Sequence, residues 1–303
     1  MSRRRRVLAV FNPVTGRHTT EAIIAPLQNE AAARSVDLHV ELTLYPGHAI
    51  EIAAAAGTDI DAVIAIGGDG TVSDVVDGVE GLSIPVGIIP AGSTNVIAKE
   101  LGVPRDLRAA ARIALGDGEL IAIDHARIAG KSLLHMAGAG YDAAIMRDTS
   151  RRVKRWLGWI AYLPPAIRHI NYPLFPLEVT IDDTVHRTNA RVVLCAIGGT
   201  IISPRFKVGE GIDRTDGLMD VCIYSPPTVS GALSAMGWIA LGHPGRSRWL
   251  TQHRGRRVRL DAGPGIPFEI DGDYRGELPV EIEMLTSPVR IYAPATTRHQ
   301  LRS

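Results

Sequence analysis

The stretch Ala62-Val63-Ile64-Ala65-Ile66-Gly67-Gly68-Asp69-Gly70-Thr71 decides how the rest of the sequence reads. Its apolar half, rich in β-branched residues, makes a strand buried on both faces. The run stops at two glycines, and Val72 to Val79 then reads as a short helix. Glycines let a backbone approach a ligand closely and leave its amides uncovered. The N-terminus of the helix adds positive dipole. Together these features describe a phosphate cradle. Asp69 sits in it at the carboxyl end of a strand, where open α/β sheets place their ligands. A carboxylate among phosphates needs a cation between them, or a proton to move, so Asp69 points to Mg²⁺ or proton transfer. A plain tight turn with Asp69 as helix cap is the plainer reading, and it leaves three glycines unexplained.

Working outward, two more strand ends have the same grammar. Val7 to Phe11 runs into Asn12-Pro13-Val14-Thr15-Gly16, and Val86 to Ile89 runs into Pro90-Ala91-Gly92-Ser93-Thr94-Asn95. Ser93, Thr94 and Asn95 offer caps and hydroxyl or amide donors. Three polar loops on one sheet edge predict a shared nucleotide site. The spacing is not a Walker A loop, because no Gly-Lys-Ser/Thr follows, and Gly138-Ala139-Gly140 alone is no dinucleotide fingerprint. Glu21 to Arg34, His48 to Ala56, Asn95 to Leu101 and Leu107 to Leu115 read as helices, and Leu38 to Leu44 as a strand. Strands alternating with helices predict a parallel sheet covered on both faces.

From about Ile121 the grammar changes. Ile121 to Ile128, Leu133 to Ala137, Leu177 to Ile181, Arg191 to Ile197, Met219 to Tyr224, Val258 to Asp261, Phe268 to Ile270, Val280 to Met284 and Val289 to Tyr292 read as strands punctuated by Gly, Pro and Asp. They predict an antiparallel β-sandwich. Helical interludes over Tyr141 to Ile170 and Thr228 to Leu241 interrupt it.

Bulk properties narrow the class. The 303 residues suit two domains, 46% hydrophobic content excludes global disorder, and a net charge of +1 gives no overall basic or acidic character. Basic residues nevertheless cluster at Arg3 to Arg6, at Arg147, Arg151, Arg152, Lys154 and Arg155, and at Arg246, Arg248, Arg254, Arg256, Arg257 and Arg259. Such runs are either solvated faces or contacts to a membrane or nucleotide. Cys195 and Cys222 lie in apolar strands without metal spacing and read as buried thiols. No secretory signal appears and no apolar stretch is long enough to span a bilayer, so a cytoplasmic protein is expected, able to touch a membrane peripherally. Trp156, Trp159, Tyr162 and Leu163 beside the second basic cluster suit either that contact or domain packing.

These motifs, taken in order, resemble the catalytic family of diacylglycerol kinases, which includes bacterial soluble lipid kinases and the sphingosine and ceramide kinases. The resemblance rests on Asn12-Pro13…Gly16, Gly67-Gly68-Asp69-Gly70-Thr71 and Gly92-Ser93-Thr94-Asn95. It continues through Gly198-Gly199, Asp216-Gly217-Leu218-Met219-Asp220 and Ile270-Asp271-Gly272-Asp273, and so covers nearly the whole chain. It implies a phosphofructokinase-like α/β domain over residues 1–122 and an all-β sandwich over 123–292. The segment 293–303 would return to the first domain, and ATP would lie between the domains. It further implies that Asn12, Pro13, Val14, Thr15, Gly16, Thr43, Gly67, Gly68, Asp69, Gly70, Thr71, Ser93, Thr94 and Asn95 hold ATP. Asp213, Asp216 and the Leu218 carbonyl resemble a Mg²⁺ site, an oxygen-only set that suits a hard cation. Asp273 and Asp271 stand where the family organises proton transfer and metal.

Three positions depart from the family pattern. Val96 replaces an Asp, Ser93 stands for Thr, and Asp273 stands for Glu. The reading is therefore an ATP- and Mg²⁺-dependent kinase acting on a lipid hydroxyl, such as that of diacylglycerol, at a membrane surface, with no nucleic-acid partner. A homodimer is left open. The alternatives are a non-catalytic nucleotide- or lipid-binding protein, and an NAD kinase or 6-phosphofructokinase, which share the glycine-aspartate loop.

Overall fold

In the computed structural model residues 3–14, 19–150, 153, 156–201 and 204–297 are described. The chain divides into two units, residues 1–123 with 287–303, and residues 124–286.

The first unit begins with β1 (Arg6–Phe11), β2 (Asp37–Leu42), β3 (Ala62–Gly67), β4 (Val86–Pro90) and β5 (Glu119–Ile123). Its helices are α1 (Thr20–Ala33), α2 (His48–Ala54), α3 (Asp69–Val79), α4 (Val96–Glu100) and α5 (Leu107–Arg112). The second unit holds β6 (Ala126–Ile128), β7 (Lys131–Leu133), β8 (Met136–Gly140), β9 (Phe175–Ile181), β10 (Thr184–Ala190) and β11 (Val192–Ala196). It continues with β12 (Met219–Tyr224), β13 (Leu250–Gly255), β14 (Arg257–Asp261), β15 (Pro267–Ile270), β16 (Asp273–Glu277) and β17 (Val280–Met284). Its helices include α6 (Tyr141–Asp148), α7 (Leu163–Arg168) and α8 (Val229–Ala240). The chain returns to the first unit with β18 (Val289–Ala293).

The first sheet has the order β2-β1-β3-β4-β18-β5, with β1 to β4 mutually parallel. Every residue of β3 is buried, as a strand covered on both faces requires. Right-handed crossovers to opposite sides put α1 on one face and α2 and α3 on the other. The helix pairs agree, since α2 packs on α3 and α1 on α5. All four parallel strands end at the same edge, so Asn12, Thr43, Gly68 and Ala91 follow strands that point the same way.

The second unit is a sandwich of two antiparallel sheets, β10-β9-β14-β17-β6-β7 and β13-β12-β11-β8-β15-β16. Phe175, Leu177, Val179 and Ile181 of one sheet share a core with Val193, Cys195, Val221 and Ile223 of the other. The alternate residues Met136, Leu194, Ala196, Cys222 and Tyr224 face outward and pack on Ala235 of α8. Both thiols are buried and free, and burial raises that of Cys195 to about 12.

Four expectations need correction. Ile121 to Ile128 is not one strand: Asp124 and His125 break it into β5 and β6, and the Asp124 amide turns aside to donate to the Arg214 carbonyl at 2.7 Å. Leu133 to Ala137 likewise divides between β7 and β8. Val289 to Tyr292 is not a sandwich strand, because β18 pairs antiparallel with β5 and touches β4 in the first sheet. The unit boundary accordingly falls after Ile123, and the return begins at Ser287. The interlude over Tyr141 to Ile170 is no single helix, since α6 ends at extended Thr149 and a 3₁₀ turn over residues 158–162 precedes α7. Among the described residues no helix is long and apolar enough to cross a membrane.

Candidate active site

β1 and β3 lie side by side, and the chain leaves them in opposite directions, β1 toward β2 and β3 toward β4. Such a reversal opens a crevice at the carboxyl ends of the strands, which is where open α/β sheets bind ligands. The predicted loops meet there. The Asn12 amide donates to the Ile66 carbonyl at 3.0 Å, and the Asn12 side chain donates to Thr71 Oγ1 at 3.4 Å. Asn12 Oδ1 accepts from the Val14 amide at 3.1 Å and shapes the turn through Pro13. Thr43 joins them from the end of β2, donating its amide to the Phe11 carbonyl at 2.8 Å. Thr15 and Gly16 lie outside the described residues.

The second and third loops are stitched together. The Gly67 carbonyl accepts from the amides of Ala91 and Gly92 at 2.9 and 3.1 Å. A Cβ on Gly92 would stand 2.5 Å from Gly68 Cα, and one on Gly67 would stand 2.4 Å from Thr71 Oγ1. The fold itself demands those two glycines. Gly70 is different. It lies in the first turn of α3, its φ is not positive, it is exposed, and among the described residues a Cβ there would meet nothing within 4 Å. Among the described residues neither packing nor backbone strain calls for glycine at this place, which suits a close-fitting ligand above the α3 N-terminus.

Asp69 opens α3, but its carboxylate serves the next loop. Oδ1 accepts from the Ile97 amide at 2.9 Å and Oδ2 from Thr94 Oγ1 at 3.3 Å. Asn95, the N-cap of α4, sits at φ 49° and makes no side-chain cap bond. Its Nδ2 donates instead to the Gly92 carbonyl at 2.7 Å, and its buried Oδ1 has no hydrogen-bond partner. Asp69 therefore caps a neighbouring helix across 28 residues of chain, not its own. Val96, where the family pattern has Asp, is the first residue of α4, and Ser93 is exposed at the loop tip.

Lys99 is a site residue that motif reading missed. It is half-buried on α4, and burial, then the charge of Arg105, lowers its pKa against the opposing pull of Asp69. A lysine four residues beyond a helix cap gives no signal by itself in a sequence.

In the second unit Asp271 and Gly272 form a left-handed turn, with φ of 49° and 83°. The Asp271 amide donates to the Met136 carbonyl at 3.0 Å, and the Met136 amide donates to Asp271 Oδ1 at 3.2 Å. Asp271 is thereby bound to β8, while Asp273 begins β16 with its carboxylate 39% exposed. Two unpredicted carboxyls lie behind this turn. Glu269 is buried on the outer side of β15 and accepts from the Gly272 amide at 2.5 Å, and Asp142 of α6 is hydrogen-bonded to it. Burial raises Asp142 to about 6, and burial followed by the Asp142 charge holds Glu269 well above the usual carboxyl range.

The Asp213–Asp216 turn is a separate feature of the same unit. Asp213 Oδ1 accepts from the Thr215 amide and hydroxyl at 2.9 and 2.7 Å, and Asp216 Oδ1 accepts from the Leu218 amide at 3.0 Å. Asp124, at the break between β5 and β6, accepts from the Gly217 amide at 2.7 Å. Burial raises the proton affinity of Asp124, opposed by the Gly217 amide and helped by the charges of Asp216 and then Asp213; burial likewise raises that of Asp216, opposed by the Leu218 amide and a 3.3 Å ion pair with Arg254. Among the described residues no three acidic, histidine or cysteine side chains converge as a metal site. Two carboxylates and a carbonyl are nonetheless an oxygen-only set with surplus negative charge, and a hard divalent cation fits that chemistry.

The basic clusters are partly spent within the molecule. Arg3 and Arg6 pair with Asp61 and Asp59, Arg259 pairs with Glu281, and Arg246 and Arg248 stack over Trp238 and Trp249. Arg151, Arg152, Lys154 and Arg155 lie outside the described residues, as does the side chain of Trp159.

Comparison with known proteins accords with this geometry. Residues 6–128 match the diacylglycerol kinase catalytic domain, and residues 135–293 match the YegS C-terminal NAD kinase beta sandwich-like domain. A diacylglycerol kinase of Bacillus subtilis is 25% identical over 301 residues, covering 98% of this chain and 99% of the relative. One from Mycobacterium tuberculosis is 29% identical over 304 residues, covering 95% of each. Among solved structures, a diacylglycerol kinase from Bacillus anthracis superposes with a TM-score of 0.79 at 22% identity, over 98% of this chain and 99% of that one. An NAD kinase from Archaeoglobus fulgidus in complex with ATP has a TM-score of 0.55 at 14% identity, over 98% and 97% of the two chains. These structural likenesses concern the fold.

Proposed function

The chain belongs to the family that joins a diacylglycerol kinase catalytic domain to a YegS-type C-terminal sandwich, and from that premise we propose that it is an ATP-dependent lipid kinase. It moves the γ-phosphoryl group of ATP to a hydroxyl of diacylglycerol or a related lipid presented at a membrane surface. The observation that carries this reading is the space over Gly70 that no described residue fills, at the N-terminus of α3 and beside the crevice between β1 and β3. Phosphate binds such a place through uncovered amides and the helix dipole. The nucleotide phosphates belong to Gly67, Gly68, Asp69, Gly70 and Thr71, with Asn12, Thr43 and the Ser93–Asn95 loop holding the rest of the nucleotide. The half-buried Lys99 adds a positive charge beside Asp69.

Phosphoryl transfer asks the protein for positioning and charge neutralisation more than for covalent chemistry. Asp273 takes the proton of the lipid hydroxyl as the new oxygen–phosphorus bond forms and the bond to the β–γ bridging oxygen of ATP breaks. Asp271, bound to β8, supports it. Mg²⁺ would be held by Asp213, Asp216 and the Leu218 carbonyl, and supplies fixed positive charge. Val96 favours a second reading, a binding protein without turnover, because the α4 start lacks the carboxylate that the family pattern carries there.

Turnover of Asp273→Ala and Asp69→Asn with labelled ATP separates the roles. Asp273→Ala is expected to lower kcat far more than it raises KM for ATP, since a base acts in the transition state. A wild-type rate in Asp273→Ala together with a dead Asp69→Asn would transfer the base to Asp69.

A further inference from the structure

The buried acids behind the Asp271–Gly272–Asp273 turn are not explained by packing. Met136, Gly138 and Gly140 form the outer side of β8, next to β15 and beneath α6. Elsewhere this outer side carries apolar Leu194, Ala196, Cys222 and Tyr224, and among the described residues its one other buried acid, Asp220, is paired with Arg254. Glu269 is 1% exposed, and burying a carboxyl costs free energy that an apolar residue would not. The sheet also makes room for the pair: a Cβ on Gly138 would stand 2.4 Å from Asp142 Oδ2 and 2.9 Å from Glu269 Oε1.

What the pair holds is the turn. Glu269 Oε2 accepts from the Gly272 amide at 2.5 Å, directly between Asp271 and Asp273. Successive left-handed residues at 271 and 272 set the direction in which the chain enters β16, and hence where Asp273 points. A hydrogen bond between two carboxyls requires a proton on one of them, so Glu269 grips the amide with one oxygen and Asp142 with the other.

We propose that Glu269, braced by Asp142, is the positioning residue for the Asp271–Gly272–Asp273 turn and fixes the Asp273 carboxylate for proton transfer. The inference rests on the assignment of Asp273 as the base. It predicts a split between kcat and KM that loss of a mere packing residue does not give.

The test compares Glu269→Leu, Glu269→Gln and Gly138→Ala with Asp273→Ala, each by steady-state kinetics and thermal melting. Leucine removes the grip on Gly272, so kcat should fall by about 100-fold, as small misplacements of reacting groups cost, with KM for ATP unchanged. Its Tm should fall, because the Gly272 amide and the buried Asp142 carboxyl each lose a partner, so kcat is read on the folded fraction. Glutamine still accepts from the amide and donates to Asp142, so it should restore most of kcat. Gly138→Ala displaces the pair without removing it and should lower kcat in the same way, which decides the matter should the leucine variant fail to fold. Wild-type kcat in a folded Glu269→Leu or Gly138→Ala, beside an inactive Asp273→Ala, overturns the positioning role alone. Wild-type kcat in Asp273→Ala overturns the assignment beneath it.

Discussion

Gly70 and Gly92 belong to the loops proposed to hold phosphate and should respond oppositely to alanine. At Gly70 the added methyl meets open space on a helix, so the fold should gain up to about 1 kcal/mol from helix propensity. On the proposed function the methyl would fill space that phosphate needs, and turnover should drop at least about tenfold, by analogy with overpacking of a tight site. At Gly92 the methyl collides with the Gly68 backbone at 2.5 Å, and stability should fall by about 1–3 kcal/mol. Melting curves with turnover at saturating ATP check both. Asp69→Asn should be gentle on the fold, because an amide can still accept from Ile97 and meet the Thr94 hydroxyl. Its kcat should drop by about 100-fold, the scale seen when a charge or donor aimed at a transition state is removed. The glycines and Asp69 were legible because a buried strand breaking into glycines has few other uses. Lys99, Asp142 and Glu269 were not, because a single charged residue in an apolar segment looks like any surface residue until its neighbours are known. The capping of α4 by Asp69 was equally hidden, since it joins loops from two different strands.

Most individual elements were readable, and the sandwich strands absent from that reading share one physical cause. The sequence pattern names no strand at β10, β13 or β16 and joins the end of β7 to β8, and these four strands are the edges of the two sandwich sheets. Edge strands face solvent and carry polar residues that discourage pairing with other chains, so Thr184–Ala190 and Leu250–Gly255 lack the apolar signature of a strand. At the element scale α6 yields a pH prediction. The Asp142 carboxyl is raised by burial to about 6, from about 3.8. An acid whose folded pKa is raised contributes stability that is intact below the unfolded pKa and is lost as pH rises through the folded one. The Tm of wild type relative to Asp142→Asn should therefore be highest near pH 4 and decline toward pH 7, and a pH-independent difference would contradict the assignment. α7 and α8 yield a membrane prediction. Leu163 and Ile167 of the one, and Leu233 and Met236 of the other, are exposed, and α8 carries no charged residue at all. Exposed apolar helix faces near arginines suit an interfacial contact. Vesicle sedimentation should show stronger binding to anionic than to neutral lipid, weaker binding with added salt, and at least a tenfold loss in the double variant Ile167→Asp, Leu233→Asp, since each apolar side chain contributes about 1.5–3 kcal/mol when buried. Equal binding by that variant would leave these faces without a lipid role.

At the scale of the whole molecule, the division into an α/β unit and a β-sandwich followed from the change of grammar near Ile121, and the structure has both. The late return of the chain was harder to place. β18 has the alternation of any half-buried strand, and only its pairing with β5 and β4 shows that it completes the first sheet. The glycine-aspartate loop alone fits several kinds of phosphate transfer, and an NAD kinase shares this fold at a TM-score of 0.55. The sandwich turns at Asp216 and Asp271 favour the lipid reading. The most direct measurement is transfer of labelled phosphate from γ-labelled ATP, with Mg²⁺, to a panel of acceptors: vesicles containing diacylglycerol, sphingoid base, ceramide or phosphatidylglycerol, and, in solution, NAD and fructose 6-phosphate. The account predicts label in a lipid, abolished by Asp69→Asn and by Asp273→Ala. Label in NAD or fructose 6-phosphate and none in any lipid, or ATP binding without transfer to any acceptor, would contradict it.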